Sequence, residues 1–228
     1  STALVPAISE SIAKKEKKQA AKRLSFSILA SIIIIIPCAI GYICLSDQIL
    51  NLIYPNAPDG GIVLKLSSIA MIFVALSQTI NGGLYGLNKP LVPAVALAIG
   101  AIIKLILNII LVSNPNINII GAPISSIVCQ VIAFTICYKA INRALKMHIP
   151  KVRYILKPLI AGIIMGVAVY FINMGLNMII SANISTILSI LAGAIIYVIL
   201  IFVLKILTKE EIMMIPFGSK LLEKLNMN

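Results

Sequence analysis

Six apolar runs, each about 20 residues or longer, divide this chain: 24–46, 62–86, 91–112, 119–141, 158–180 and 186–207. A hydrocarbon layer of about 30 Å is crossed by about 20 residues at 1.5 Å rise, and every backbone N–H and C=O inside it needs a partner. The runs are therefore expected to be transmembrane α-helices, which makes the fold class all-α and polytopic. Composition agrees, since 60% of the 228 residues are hydrophobic and 11% are charged. Soluble domains hold about 45–50% apolar residues.

A formal charge of +12 would suggest nucleic acid in a soluble protein. Here the basic residues fall between the runs. All but Lys65 and Lys104 of the 19 Lys and Arg residues lie in the stretch 14–23, the LNKP turn, the region 139–157 or the C-terminal segment from Lys205 onward. These four places share one side of the membrane. The opposite side carries Asp47 and Asp59 and no basic loop residue, so the positive-inside bias puts the basic side and the C-terminus in the cytoplasm. No nucleic-acid partner is expected.

Residues 1–23 read as the end of a truncated helix followed by a basic loop, and the absence of an initiating methionine suggests part of a longer polypeptide. The first run, within 24–141, contains Pro37, which removes one helical hydrogen bond and is expected to kink the helix. Residues 47–61, rich in Pro, Gly and Asn, read as a loop. The four-residue LNKP turn predicts that the second and third spans are antiparallel neighbours. Residues 142–157 form a second basic loop and 158–207 two further spans. In the tail, 208–228, Thr208 and Glu211 have capping-box spacing ahead of apolar residues interleaved with Lys220 and Lys224.

Lys104 is the candidate functional residue of most weight. It lies near the middle of the third span, and an ammonium at that depth costs a few kcal/mol unless it faces a cavity or a partner. Asn108 shares its helical face. In the second span Gln78, Asn81 and Tyr85 follow the i, i+3, i+7 spacing of one face. The stripe could face Lys104 and Asn108 across a shared cavity, or serve only as interhelical hydrogen bonds, with Lys104 structural. Lys65 lies within snorkelling reach of the interface. Gly162 and Gly166 form a G-x-x-x-G that permits close helix packing.

Other chemistries lack their parts. The seven acidic residues all lie outside the mid-span regions, and no G-x-x-x-x-G-K-[ST] loop is present. His148 stands in a basic loop without a neighbouring carboxylate. Cys38, Cys44, Cys129 and Cys137 lie inside apolar runs with no C-x-x-C pair, so buried free thiols are expected and no metal or cofactor.

Three segments together resemble the stage V sporulation protein B group: LVPAISES at 4–11, YGLNKPLVPAV at 85–95 and KLILNIILV at 104–112. That group belongs to the polysaccharide branch of the superfamily that also holds multidrug and toxic compound extrusion transporters and lipid II flippases. The resemblance covers nearly the whole chain. It implies a fold of two six-helix lobes around a central cavity, with 24–141 completing the second lobe and 158–207 forming an appended helix pair. It further implies a bacterial cytoplasmic-membrane protein that moves undecaprenyl-pyrophosphate-linked saccharides by alternating access. Its partners would be membrane lipids, that substrate and the missing N-terminal lobe.

For a pyrophosphate headgroup, Lys104, Asn108, Gln78 and Asn81 offer cationic and amide donors. Three rivals remain: a six-helix substrate-binding subunit of a vitamin transporter, a cation-coupled multidrug exporter, and an enzyme of the outer face built on Asp47 or Asp59.

Overall fold

The computed structural model describes residues 4–54, 60–147, 149–150, 152–208 and 211. Asp59, His148 and the tail residues Lys220 and Lys224 lie outside them. Among the described residues eight α-helices follow one another: α1 (Leu4–Ala13), α2 (Lys17–Cys44), α3 (Ser46–Ile53), α4 (Gly61–Gly86), α5 (Leu91–Val112), α6 (Gly121–Leu145), α7 (Lys157–Leu176) and α8 (Ala182–Val203). Six of them, α2 and α4 to α8, are long and apolar enough to cross a membrane.

The helices outrun the apolar segments. α2 begins at Lys17, so Lys17, Lys18, Lys22 and Arg23 form its first two turns instead of a loop. α6 carries on past Lys139 and Arg143 to Leu145. Lys and Arg are good helix formers, and at a membrane surface nothing forces the helix to stop where the apolar run does. The loop expected at 47–61 likewise begins with a helix, α3. SDQILNLI has its own helical periodicity, and the Pro and Gly residues all come after it. α2 runs unbroken through Pro37.

α2 is the spine. One side of it supplies Leu24, Ile28, Ile32 and Ile36 to a cluster with Leu84 and Ile141. Leu29 on another side joins Met165, Val169, Tyr197 and Ile201. Around this spine α1, α4 and α7 pack directly, α8 packs on α7, and α3 rests on α4 and α8. The α4–α5 turn is built as expected: Asn88 takes the left-handed conformation at φ 57°, Lys89 N–H reaches the Leu84 carbonyl at 2.9 Å, and Pro90 precedes α5.

The packing of α4 and α5 departs from the sequence expectation. They meet little beyond their connecting turn, and α6 packs along both of them. A short turn fixes direction but not lateral contact. α6 offers Ser125, Cys129 and Ala133, small residues that let a neighbouring backbone approach, and α5 takes that place with Gly100. A Cβ on Gly100 would lie 2.8 Å from the Cys129 carbonyl oxygen.

The Gly162/Gly166 pair is a packing face. It lets α7 close on α2, where a Cβ at Gly166 would come 2.6 Å from Ile40 Cγ2. Outward-facing Ile102, Leu105, Ile109 and Ile110 leave α5 apolar over its far side. Such a surface is stable against lipid or another apolar helix and untenable in water.

Candidate functional site

α5 carries Lys104 about 20 Å from its basic end and about 12 Å from its other end. Its side chain is half-buried, and among the described residues it makes no hydrogen bond or ion pair. One turn on, Asn108 Oδ1 accepts a 2.5 Å hydrogen bond from Ser125 Oγ of α6. Ser125 is fully buried, and its hydroxyl also lies 2.9 Å from the Ala122 carbonyl. The tight contact at Gly100, one turn before Lys104, holds α5 against α6 and leaves the lysine at the margin of that interface.

The second-span stripe has a different environment. Gln78 and Tyr85 are exposed, and Asn81 is half-buried with its Oδ1 lacking a partner. The opposite side of α4 is occupied: Thr79 shares a 2.6 Å hydrogen bond with Ser31 of α2, and Gly83 fits between Leu24 and Ile141. Among the described residues no hydrogen bond joins this stripe to Lys104 or Asn108. The structure pairs Asn108 with Ser125, while Gln78, Asn81 and Tyr85 stand on a separate helix. Measured along α4, Tyr85, Asn81 and Gln78 lie about 1.5, 7.5 and 12 Å from its basic end, whereas Asn108 lies about 26 Å along α5.

The remaining sequence candidates lie apart from both groups, and of the four cysteines expected to be buried Cys129 and Cys137 are, Cys44 is half-buried and Cys38 is exposed on the outside of the helices. Lys65 of α4 pairs with Asp47 of α3 at 3.4 Å, both well exposed. Among the described residues the four cysteines are free, and no cluster of His, Cys, Asp and Glu could hold a metal. At the basic end the Lys14 ammonium donates to Glu10 at 2.6 Å, which holds that carboxyl below its usual range and raises the lysine.

The family profile described as lipid II flippase MurJ matches residues 1–216. The chain belongs to the lipid II flippase MurJ family. Two relatives from Bacillus subtilis (strain 168) align along almost all of it. An uncharacterized membrane protein, YabM, is 26% identical over 227 residues, covering 96% of this chain and 42% of the relative. Stage V sporulation protein B is 24% identical over 225 residues, covering 97% and 42%. The probable low-salt glycan biosynthesis flippase Agl15 of Haloferax volcanii is 28% identical over 124 residues, 54% of this chain and 26% of the relative. The chain thus spans about two-fifths of the length of the two Bacillus proteins. No solved structure matches it.

Two polar clusters of this MurJ-family chain escaped the sequence reading. Near the ends of α7 and α8 away from the basic side, buried Asn173 donates to Ser185 Oγ at 3.2 Å and Ser189 Oγ at 3.4 Å, and Asn177 donates to Asn173 Oδ1 at 3.1 Å. The signal was present as polar residues spaced by four, Asn173 and Asn177 within one apolar run and Ser185 and Ser189 at the start of the next. At the other end of the same pair a clasp forms. Arg153, in the π-helical turn Val152–Leu156, donates to the Ile206 carbonyl at 2.9 Å and pairs with Glu211. Lys157 caps the Leu204 carbonyl at 2.8 Å. Glu211 also accepts from Tyr154 OH at 3.3 Å and from Thr208 N–H at 2.9 Å. The last contact is the half of a capping box in which the acidic side chain reaches back, as the Thr208/Glu211 spacing implies.

Proposed function

We propose that this chain forms the second lobe and the appended helix pair of a flippase that carries polyprenyl-pyrophosphate-linked saccharides across the bacterial cytoplasmic membrane. Residues 24–141 supply four helices of that lobe, 158–207 the appended pair, and the basic end faces the cytoplasm. Alternating access also requires the first lobe, which the longer relatives have the length to contain.

The observation that carries the reading is Lys104, a lysine deep within an apolar span that has no hydrogen bond or ion pair among the described residues. A cation there is retained only where something anionic or aqueous meets it. A pyrophosphate headgroup supplies the anion, and Asn108 beside it supplies amide donors.

The reading also accounts for the α4 stripe. On α6, Cys129 meets α5 and Ile141 meets α4. At 3.6 residues per turn these positions are about 120° apart, so α4 and α5 flank a trough floored by α6. With α2 on the packed side of α4, Tyr85, Asn81 and Gln78 mark the basic half of the path, and Lys104 and Asn108 the farther half. A headgroup moving outward would pass from amides and phenol to the ammonium.

The test is complementation in cells depleted of their own lipid II flippase, with the full-length protein and its Lys104→Ala form at matched membrane levels. Rescue by the parent and failure of the variant support the reading. Absence of precursor at the outer surface with the parent, or full rescue by the variant, contradicts it.

A further inference from the structure

Ser125 is the side chain that meets the Asn108 amide. Its hydroxyl has one proton and two acceptors within reach, Asn108 Oδ1 at 2.5 Å and the Ala122 carbonyl at 2.9 Å. The shorter contact takes the proton. The amide oxygen is then turned toward Ser125 with one of its two lone pairs engaged, and Nδ2, with two N–H donors, is the end directed away; among the described residues it has no partner. Lys104, one turn away on the same face, is donor-only and equally unpartnered. Ser125 itself is fully buried and held in the Gly121–Leu145 helix, so the anchor is rigid.

From this we infer that Ser125 is a positioning residue: it orients the Asn108 amide so that, with Lys104, α5 presents a donor-only subsite for a phosphate oxyanion. The inference rests on the flippase reading and deepens it by assigning the residue that sets the site's preference for anions. Were the amide reversed, its oxygen would face Lys104, satisfy it internally and weaken the subsite. The hydroxyl is therefore the group that the inference requires of Ser125, beside the small size that the α5–α6 packing asks for.

Full-length protein in lipid nanodiscs provides the test, with undecaprenyl pyrophosphate and undecaprenol as probes and binding read by native mass spectrometry. Ser125→Ala is expected to weaken undecaprenyl pyrophosphate binding about tenfold, the worth of one oriented donor to a charged group. Undecaprenol binding should stay within twofold. Ser125→Thr keeps the hydroxyl and should restore the parent's preference, and Asn108→Asp, which replaces the donor with a carboxylate, should abolish it.

Equal loss of both probes in Ser125→Ala would show a merely structural serine and overturn the inference. So would parent-like binding by Ser125→Ala while Lys104→Ala loses the pyrophosphate probe, an outcome that leaves the flippase reading standing. If the parent shows no preference for undecaprenyl pyrophosphate over undecaprenol, both fall together.

Discussion

Replacing Gly166 by alanine should loosen the appended pair from the spine by an amount that can be worked from the packing. The added methyl would lie 2.6 Å from Ile40 Cγ2 and 3.0 Å from Cys44 Sγ. Carbon atoms in contact prefer about 3.5–4.0 Å. α7 must therefore shift by about 1 Å, enough to forfeit a quarter to a half of the dispersion energy along the contact, and overpacking of this kind costs about 1–3 kcal/mol. Ile40 is the obstacle, since it also faces Gly162.

Ile40→Ala should therefore rescue Gly166→Ala. In the double variant the methyl enters the space that the isoleucine leaves, and the two effects should fall short of additivity by at least about 1 kcal/mol. Thermal unfolding of the four proteins in one detergent or bicelle supplies the cycle. Strict additivity, or a Gly166→Ala protein as stable as the parent, would refute the close-approach argument.

Glu211→Ala and Arg153→Ala should each destabilise the clasp by about 2 kcal/mol, because either leaves a largely buried charge without its partner; hydrogen exchange across residues 204–208 should rise alike in both and in the double variant, and additive effects would dismiss the pairing. Asn173→Leu removes two interhelical hydrogen bonds, each worth about 0.6 kcal/mol in a membrane, so a loss of about 1 kcal/mol in unfolding experiments is expected, and a gain would show the network to be strained. Lys65→Ala should change stability by less than about 0.5 kcal/mol, since its pair with Asp47 is exposed; a larger, salt-sensitive loss would mean that α3 depends on it.

The six spans were legible because length and hydropathy alone decide what may cross a bilayer. The depth of Lys104 followed from the same count. What stayed hidden was lateral order. The LNKP turn announces that α4 and α5 run antiparallel, but which helix fills the groove beside α5 depends on small residues of α6 meeting Gly100, a pairing between segments. The 153–211 clasp was invisible for a similar reason: its basic residues read as a solvated loop, and their partners are carbonyls and one carboxylate about fifty residues on. Ser125, an ordinary small residue in an apolar run, acquires its role only when α5 places Asn108 against it. By contrast, Asn173, Asn177, Ser185 and Ser189 carried a readable i, i+4 pattern that was passed over.

The most direct measurement of the central claim is made in proteoliposomes. The full-length protein and its Lys104→Ala and Lys104→Arg forms are reconstituted with a fluorescent undecaprenyl-pyrophosphate disaccharide, and transfer of the headgroup between leaflets is followed by membrane-impermeant quenching. The account predicts transfer by the parent, retention of a substantial part of it with arginine, and loss with alanine at equal protein density. Transfer by the alanine form at the parent's rate, or none by a folded parent, would contradict it.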